Sequence, residues 1–199
     1  KGFDGKPMAG LGLLWVYTGA PQNVIVRDDS GINSLADLSG QRFNPGIKGS
    51  ATESTTEAVF EALDLTSDYV RGSTTDVVDM IKDNRVTGYV KSGAGLKLDS
   101  STLDIATFTP IKVLSLTDAQ KQTLIEKMPD VSVVDIPEGA SDGIPAYSTW
   151  SFGVGVGAGA NLSEDAAYKI VEAVMADNEV QGAAMASVKG VNLAELTLQ

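Results

Sequence analysis

Asn44-Pro45-Gly46-Ile47-Lys48-Gly49-Ser50-Ala51-Thr52-Glu53-Ser54-Thr55-Thr56-Glu57-Ala58 decides the reading of this chain. Phe43 ends a short extended segment, and a glycine-bearing turn then empties into a helix. Ser50 or Thr52 is placed to cap that helix, and Glu57, Ala58, Val59, Phe60, Ala62 and Leu63 continue it with amphipathic spacing. The first turn of a helix leaves backbone N–H groups without intrahelical partners and carries the positive end of the helix dipole. Ser50, Ala51 and Thr52 therefore form a natural seat for a small anion such as a metabolite carboxylate. An ordinary capped helix after a strand has the same local pattern, so the order of the surrounding segments carries the rest of the argument.

Upstream runs Asn23-Val24-Ile25-Val26-Arg27-Asp28-Asp29-Ser30-Gly31-Ile32, then Ser34-Leu35-Ala36-Asp37-Leu38-Ser39-Gly40-Gln41-Arg42-Phe43. That is an apolar strand, an acidic Ser-Gly turn, a short helical segment, a strand, and then the Gly-Ser turn. The order resembles the extracytoplasmic solute-binding subunits of tripartite (TRAP) transporters, specifically the TAXI family. There a strand, a "DSGI" turn and a "DLKGK" segment precede "GSGT" at a helix start. Val133-Val134-Asp135-Ile136-Pro137-Glu138-Gly139 resembles the family's "IPAGTY" region, and Leu162 to Val171 resembles its "LSEDVVYEIVKAL" helix. The matches keep their order over roughly residues 20 to 180.

The resemblance implies an α/β, two-lobed, periplasmic-binding-protein-like fold of type II. It implies a periplasmic or extracytoplasmic location, a membrane permease as partner, and an acidic amino acid or dicarboxylate as the small organic anion bound. Family members carry a strand–helix–strand unit before the region matching Lys1-Gly2-Phe3, so the expectation is a C-terminal portion with one incomplete lobe. The two crossings between lobes are expected at Val24 to Arg27 and at Phe152 to Val156. That division assigns residues 1–27 and 152–199 to the first lobe and 28–151 to the second.

Bulk properties narrow the function classes. The chain has 199 residues, 43% of them hydrophobic, enough for one sizeable core or two small lobes. A net charge of −11 argues against nucleic acid and anionic membrane surfaces as partners. Histidine and cysteine are absent, which removes the usual zinc, triad and thiol chemistry. No apolar run is long enough to insert into a membrane. The residues 1–7 read as a polar loop. The alternation Gly153, Gly155, Gly157 and Gly159 with Val154 and Val156 reads as a strand with close backbone approach, not a nucleotide loop. No cofactor is expected.

Strands are expected at Leu11 to Tyr17, Val24 to Arg27, Arg42 to Asn44, Val86 to Val90, Ile111 to Leu116, Ser132 to Ile136 and Ser148 to Val156. Helices are expected at Glu53 to Leu65, Thr75 to Asn84, Thr102 to Thr107, Thr117 to Lys127, Ser163 to Asp177 and Val180 to Leu193. Alternating strands and helices give an α/β architecture.

Further binding candidates flank the Gly-Ser turn. Lys91 and Ser92 follow a strand in the segment matching the family's "DAFF…G" cleft edge; Lys91 can pair with a carboxylate and Ser92 can donate a hydrogen bond. A solvated lysine on a glycine loop is the alternative. Tyr147 and Trp150 precede the returning strand and can stack on a ligand, Trp150 equally packing in a hinge core. Tyr17, at the end of the first strand, either faces the cleft or packs. Glu53 departs from the family pattern, where arginine is common. Arg42 can reach the anion turn, whereas Arg27, Arg71 and Arg85 read as surface residues. Two other classes remain open: a sensor ectodomain on the same fold, and an enzyme on such a fold. Porphobilinogen deaminase attaches its cofactor through cysteine, which this chain lacks, and no paired set of Asp, Glu, Lys, Ser or Tyr stands out for catalysis.

Overall fold

The structure, a computed structural model, describes residues 9–93, 95–176, 178–185 and 188–198. The loop expected over residues 1–7 lies outside them, as does Ala94 of the Gly88–Gly95 segment. The chain divides into two compact units, Ala20–Phe152 and Lys1–Gly19 with Gly153–Gln199. Two long strands belong to both: β1 (Leu11–Arg27) and β7 (Tyr147–Gly159). They are neighbours in a mixed sheet that also contains β2 (Arg42–Asn44), β3 (Asp68–Tyr69), β4 (Gly88–Ser92), β5 (Ile111–Leu114) and β6 (Ser132–Ile136).

In the larger unit, β2 pairs in parallel with β3 and β4, and β1 runs antiparallel to both β4 and β5. Period-two alternation assigns each face of this sheet its own core. Val24, Val26 and Val90 pack on one side with Phe43, Phe60, Leu124 and Trp150. That side is covered by α1 (Ala51–Ala62) and α4 (Asp118–Lys127). Ile25 and Tyr89 point the other way, onto Val77, Ile81 and Ile105 from α2 (Thr74–Lys82) and α3 (Ser100–Phe108). Both faces are buried, so β1 and β4 here read as near-continuous apolar runs.

Four helices of this unit have a side-chain N-cap: Ser50, Ser73, Asp99 and Thr117 each accept a backbone N–H from the first turn. Ser73 and Thr117 complete capping boxes with Asp76 and Gln120.

The smaller unit contains the outer parts of β1 and β7 with α5 (Glu164–Ala176), α6 (Asn178–Ala184) and α7 (Leu193–Leu198). Ser163 caps α5 through the Ala166 N–H at 3.2 Å, as its position in the sequence leads one to expect. Thr197 ties α7 to β1 by accepting the Val16 N–H at 3.0 Å. Among the described residues, no helix is long and apolar enough to cross a membrane.

Two expectations are corrected and one strand is unforeseen. The strands at Leu11 and Val24 are one, because Pro21 contributes only its carbonyl, which accepts the Gly93 N–H at 2.8 Å, and so needs no ladder donor of its own. The final helix is two, with the left-handed Gly190 (φ 76°) lying before α7. The two-residue strand β3 has no periodicity to announce it.

Candidate functional site

The Gly-Ser turn folds as its residues dictate. Asn44 folds back on the turn, its Oδ1 accepting the Gly46 N–H at 3.0 Å while its amide donates to the Val70 carbonyl at 2.9 Å. Ser50 is the N-cap of α1, its Oγ accepting the Glu53 N–H at 3.1 Å. The N–H groups of Ala51 and Thr52 have no acceptor among the described residues, which leaves two donors at the positive end of the helix. Ala51 is exposed, and Ser50 and Thr52 are half-buried.

Thr52 is part of a hydroxyl–amide cluster. Its Oγ1 lies 3.0 Å from the Ser92 Oγ at the end of β4. Ser92 in turn accepts from the Gln22 Nε2 at 3.0 Å. Gln22 is fully buried, and its amide also donates to the Ala20 carbonyl at 2.6 Å. Thr149 of β7 donates its hydroxyl to the Gln22 carbonyl. Gln22 and Ser92 are direct cross-strand partners, so this group occupies the same sheet face as Val24 and Val90.

The next register pair, Asn23 and Lys91, occupies the opposite face. Asn23 accepts from the Tyr147 hydroxyl at 2.7 Å; both are buried, and burial pushes the Tyr147 phenol up to about 12. Lys91 donates to the Thr74 hydroxyl at the start of α2, at 3.3 Å. No carboxylate pairs with Lys91 among the described residues. The end of β4 is thus flanked by two helix starts, α1 on the Ser92 side and α2 on the Lys91 side.

Glu53 does not leave a free negative charge at the anion seat. Its carboxylate accepts the Gly49 N–H at 2.6 Å and the Arg71 Nε at 2.6 Å. The Gly49 N–H and then Arg71 hold its carboxyl below the ordinary glutamate range, against the opposing effect of burial. Arg71 also pairs with Glu57 and lies over the Tyr69 ring, 5.7 Å from its centroid. Arg71 is exposed, as the surface reading has it, and from there it clamps the loop after β3 to α1. Arg27 likewise binds Asp29 and caps the end of α2 through the Ile81 and Lys82 carbonyls. Arg42 is exposed.

Two aromatic candidates lie elsewhere. Trp150 is a core residue, 0% exposed and packed in the same cluster as Phe43 and Leu124, so the reading of it as a ligand-stacking ring is replaced by a packing role. The alternation of β7 turns Trp150 onto the face of Val24 and Val90, into the core that α1 and α4 cover. Tyr17 belongs to the smaller unit, where it lines a recess with Trp15, Val156, Gln181 and Met185. Sequence reasoning missed Gln22, Asn23 and Thr149. The available signal was two adjacent amides inside an otherwise apolar strand, where an amide persists only if it is hydrogen-bonded.

A mixed sheet entered by two long strands, with capped helix starts converging on a strand end, defines the fold of the two-lobed periplasmic binding proteins. The structure matches the periplasmic sulfonate-binding protein SsuA from Methylobacillus flagellatus KT with a TM-score of 0.53 and 12% identity, over 92% of this chain and 49% of that one. It also matches the periplasmic aliphatic sulphonate binding protein SsuA from Escherichia coli (TM-score 0.47, 14% identity, 83% and 47% coverage). A third match is a periplasmic binding protein of an ABC transporter from Brucella ovis with glutathione bound (0.45, 19%, 56% and 35%). The chain thus spans about half or less of the length of these three relatives. No curated protein matches the sequence. The chain belongs to the NMT1-like family, whose model matches residues 1–199.

Proposed function

We propose that this chain is the ligand-binding part of an extracytoplasmic solute-binding protein. In this reading it holds a small organic anion, delivers it to a membrane permease, and performs no chemistry. The observation that carries the reading is the convergence of the α1 start with the Thr52, Ser92 and Gln22 side chains at the end of β4. The free N–H groups of Ala51 and Thr52 and the Thr52 hydroxyl are donors suited to a carboxylate. Family membership supports it, since the family match covers the whole chain.

Ligand class and transporter type are the finer parts of the reading. An acidic amino acid or dicarboxylate is favoured because Glu53, the one carboxylate at the helix start, is already bound by Gly49 and Arg71 and does not repel a second anion. Lys91 is the cation available to a second carboxylate. The periplasmic location and a TAXI-type tripartite permease rest on the ordered motifs from Asp29-Ser30-Gly31-Ile32 to the helix of Leu162 to Val171.

Calorimetry and thermal shift with L-glutamate, succinate and taurine test the proposal. The expected result is stabilisation by at least the dicarboxylates, with the compound recovered unchanged. Thr52→Ala is expected to weaken binding by about 0.5–1.5 kcal/mol, the scale of one hydrogen bond. Binding of neutral or cationic compounds alone, or conversion of the compound, overturns the reading.

A further inference from the structure

Val16 lies on an edge of the sheet. The Trp15 carbonyl faces β7, since a Cβ built on Gly155 would meet that oxygen at 2.6 Å. In a trans peptide the N–H points opposite to the carbonyl, so the Val16 N–H points away from β7. That is the side on which β1 pairs with β4. The pairing with β4 begins only at Gln22, and among the described residues no other strand lies on that side of the outer half of β1. An open strand edge of this kind pairs readily with another chain. Here α7 fills the slot. The Thr197 hydroxyl accepts the Val16 N–H at 3.0 Å and lies 3.5 Å from the Val16 carbonyl oxygen, so both outward-facing backbone groups of Val16 meet one side chain. Within α7 the same hydroxyl donates to the Leu193 carbonyl at 2.6 Å, and the buried Leu193 side chain anchors the other end of the helix.

We propose that α7 is an edge guard: through Thr197 it keeps the outer half of β1 from pairing with the same edge of a second copy of this chain. The competing occupant is a second copy because two identical edges are self-complementary. Two-fold antiparallel pairing offers each edge the same donors and acceptors that it presents. Such pairing would also shelter Leu11 and Leu13, which are 57% and 62% exposed at the outer end of β1. One hydroxyl at the end of a six-residue helix holds the slot, so the guard is displaced by the loss of a single hydrogen bond. This inference does not depend on the binding function proposed above.

Sedimentation velocity over a concentration series, together with amide hydrogen exchange, tests the guard in the full chain. Thr197→Ser keeps the acceptor, and Thr197→Val keeps the shape and removes it. Wild type and Thr197→Ser are expected to sediment as monomers with a protected Val16 amide. In dilute Thr197→Val the Val16 amide is expected to exchange about tenfold faster or more. At higher concentration the same variant is expected to dimerise and to protect Val16 again. A folded Thr197→Val that stays monomeric throughout the series, or that dimerises with Val16 unprotected, overturns the guard. A wild type that already dimerises through this edge overturns it as well. If far-UV circular dichroism shows that Thr197→Val does not fold, Leu193→Ala, which loosens α7 from its buried end, is read by the same two measurements and the same outcomes.

Discussion

Replacing Gly88 by alanine is expected to be among the most damaging single changes in the larger unit. Gly88 opens β4, between Phe43 of β2 and Val26 of β1. A Cβ there would lie 2.1 Å from the Ile25 carbonyl oxygen, 2.8 Å from the Val26 Cα and 2.9 Å from the Val26 Cγ1. Two of these three are backbone atoms, so no rotamer change relieves the clash. Relief requires β4 and β1 to part by more than an ångström, which stretches the ladder from Gln22 to Val26 and the Arg27 N–H to Thr87 carbonyl bond of 3.2 Å. Two or three weakened ladder bonds, at about 0.5–1.5 kcal/mol each, contribute roughly 1–4 kcal/mol. Overpacking strain contributes about 1–3 kcal/mol more. The expected destabilisation is about 2–7 kcal/mol, a large share of a typical domain's stability. Urea unfolding of Gly88→Ala beside Gly12→Ala measures it; a Cβ at Gly12 meets nothing within 4 Å, so that variant is the control. A Gly88→Ala unfolding free energy within about 1 kcal/mol of wild type would show that the strand pair is slack and refute the reasoning.

Stability is expected to be flat between about pH 6 and about pH 9, because no histidine or cysteine titrates there. Below that plateau, Glu53 sets the sign: the Gly49 N–H and Arg71 hold its folded value below that of the unfolded chain, so its contribution is present above the unfolded value and is lost as pH falls through the folded one. Above it, burial raises Tyr69 and Tyr147 from 10.0 to about 12, so the unfolded chain ionises first and stability falls as pH rises from about 10 toward 12. A pH series of urea midpoints checks both limbs, and a step near pH 6.5 would contradict them. Trp150→Ala is expected to cost about 3–5 kcal/mol, and Trp150→Phe distinctly less, since the buried Nε1 has no hydrogen-bond partner among the described residues to lose. Thr117→Ala is expected to cost about 1 kcal/mol through loss of the capping box with Gln120, read as a small, pH-independent shift of the melting temperature.

Local chemistry made part of this architecture legible. Ser50, Ser163 and Thr117 announce their helices because a cap is decided within three residues, and Ser132 to Ile136 reads as a strand and folds as one. What escaped depended on distant partners. Gly19 and Pro21 look like a break in β1, and only the antiparallel pairing of Gln22 to Val26 with β4 shows that the strand continues. Arg71 reads as a surface cation until folding brings Glu53, 18 residues away, to within 2.6 Å. At the candidate site, Ser50, Ala51, Thr52 and Ser92 are legible as candidates from the turn and the strand end, and folding brings Thr52 and Ser92 within 3.0 Å of each other. Gln22 and Thr149 are not legible there, because their role is set by a contact spanning 127 residues. Trp150 reads from the sequence either as a ligand-stacking ring or as hinge core, because an aromatic near a strand start fits both, and only the sheet's alternation decides between them.

The glycine row of β7 acts as a pawl on strand register. At Gly155 an added Cβ would sit 2.6 Å from the Trp15 carbonyl oxygen and 2.9 Å from the Leu13 Cδ1, while at Gly153 and Gly157 it would meet Val16 and Leu11 at 3.4 Å. The intervening positions are Val154, Val156 and Ala158, all bearing side chains. Sliding β7 one residue along β1 would drive a valine into the place where even a methyl does not fit. Most sheets fix register by which side chains seek the core. Here the smooth side of the strand fixes it by exclusion, so the outer parts of β1 and β7 can mesh in one setting although Leu11 and Leu13 remain exposed and bury too little surface to choose it.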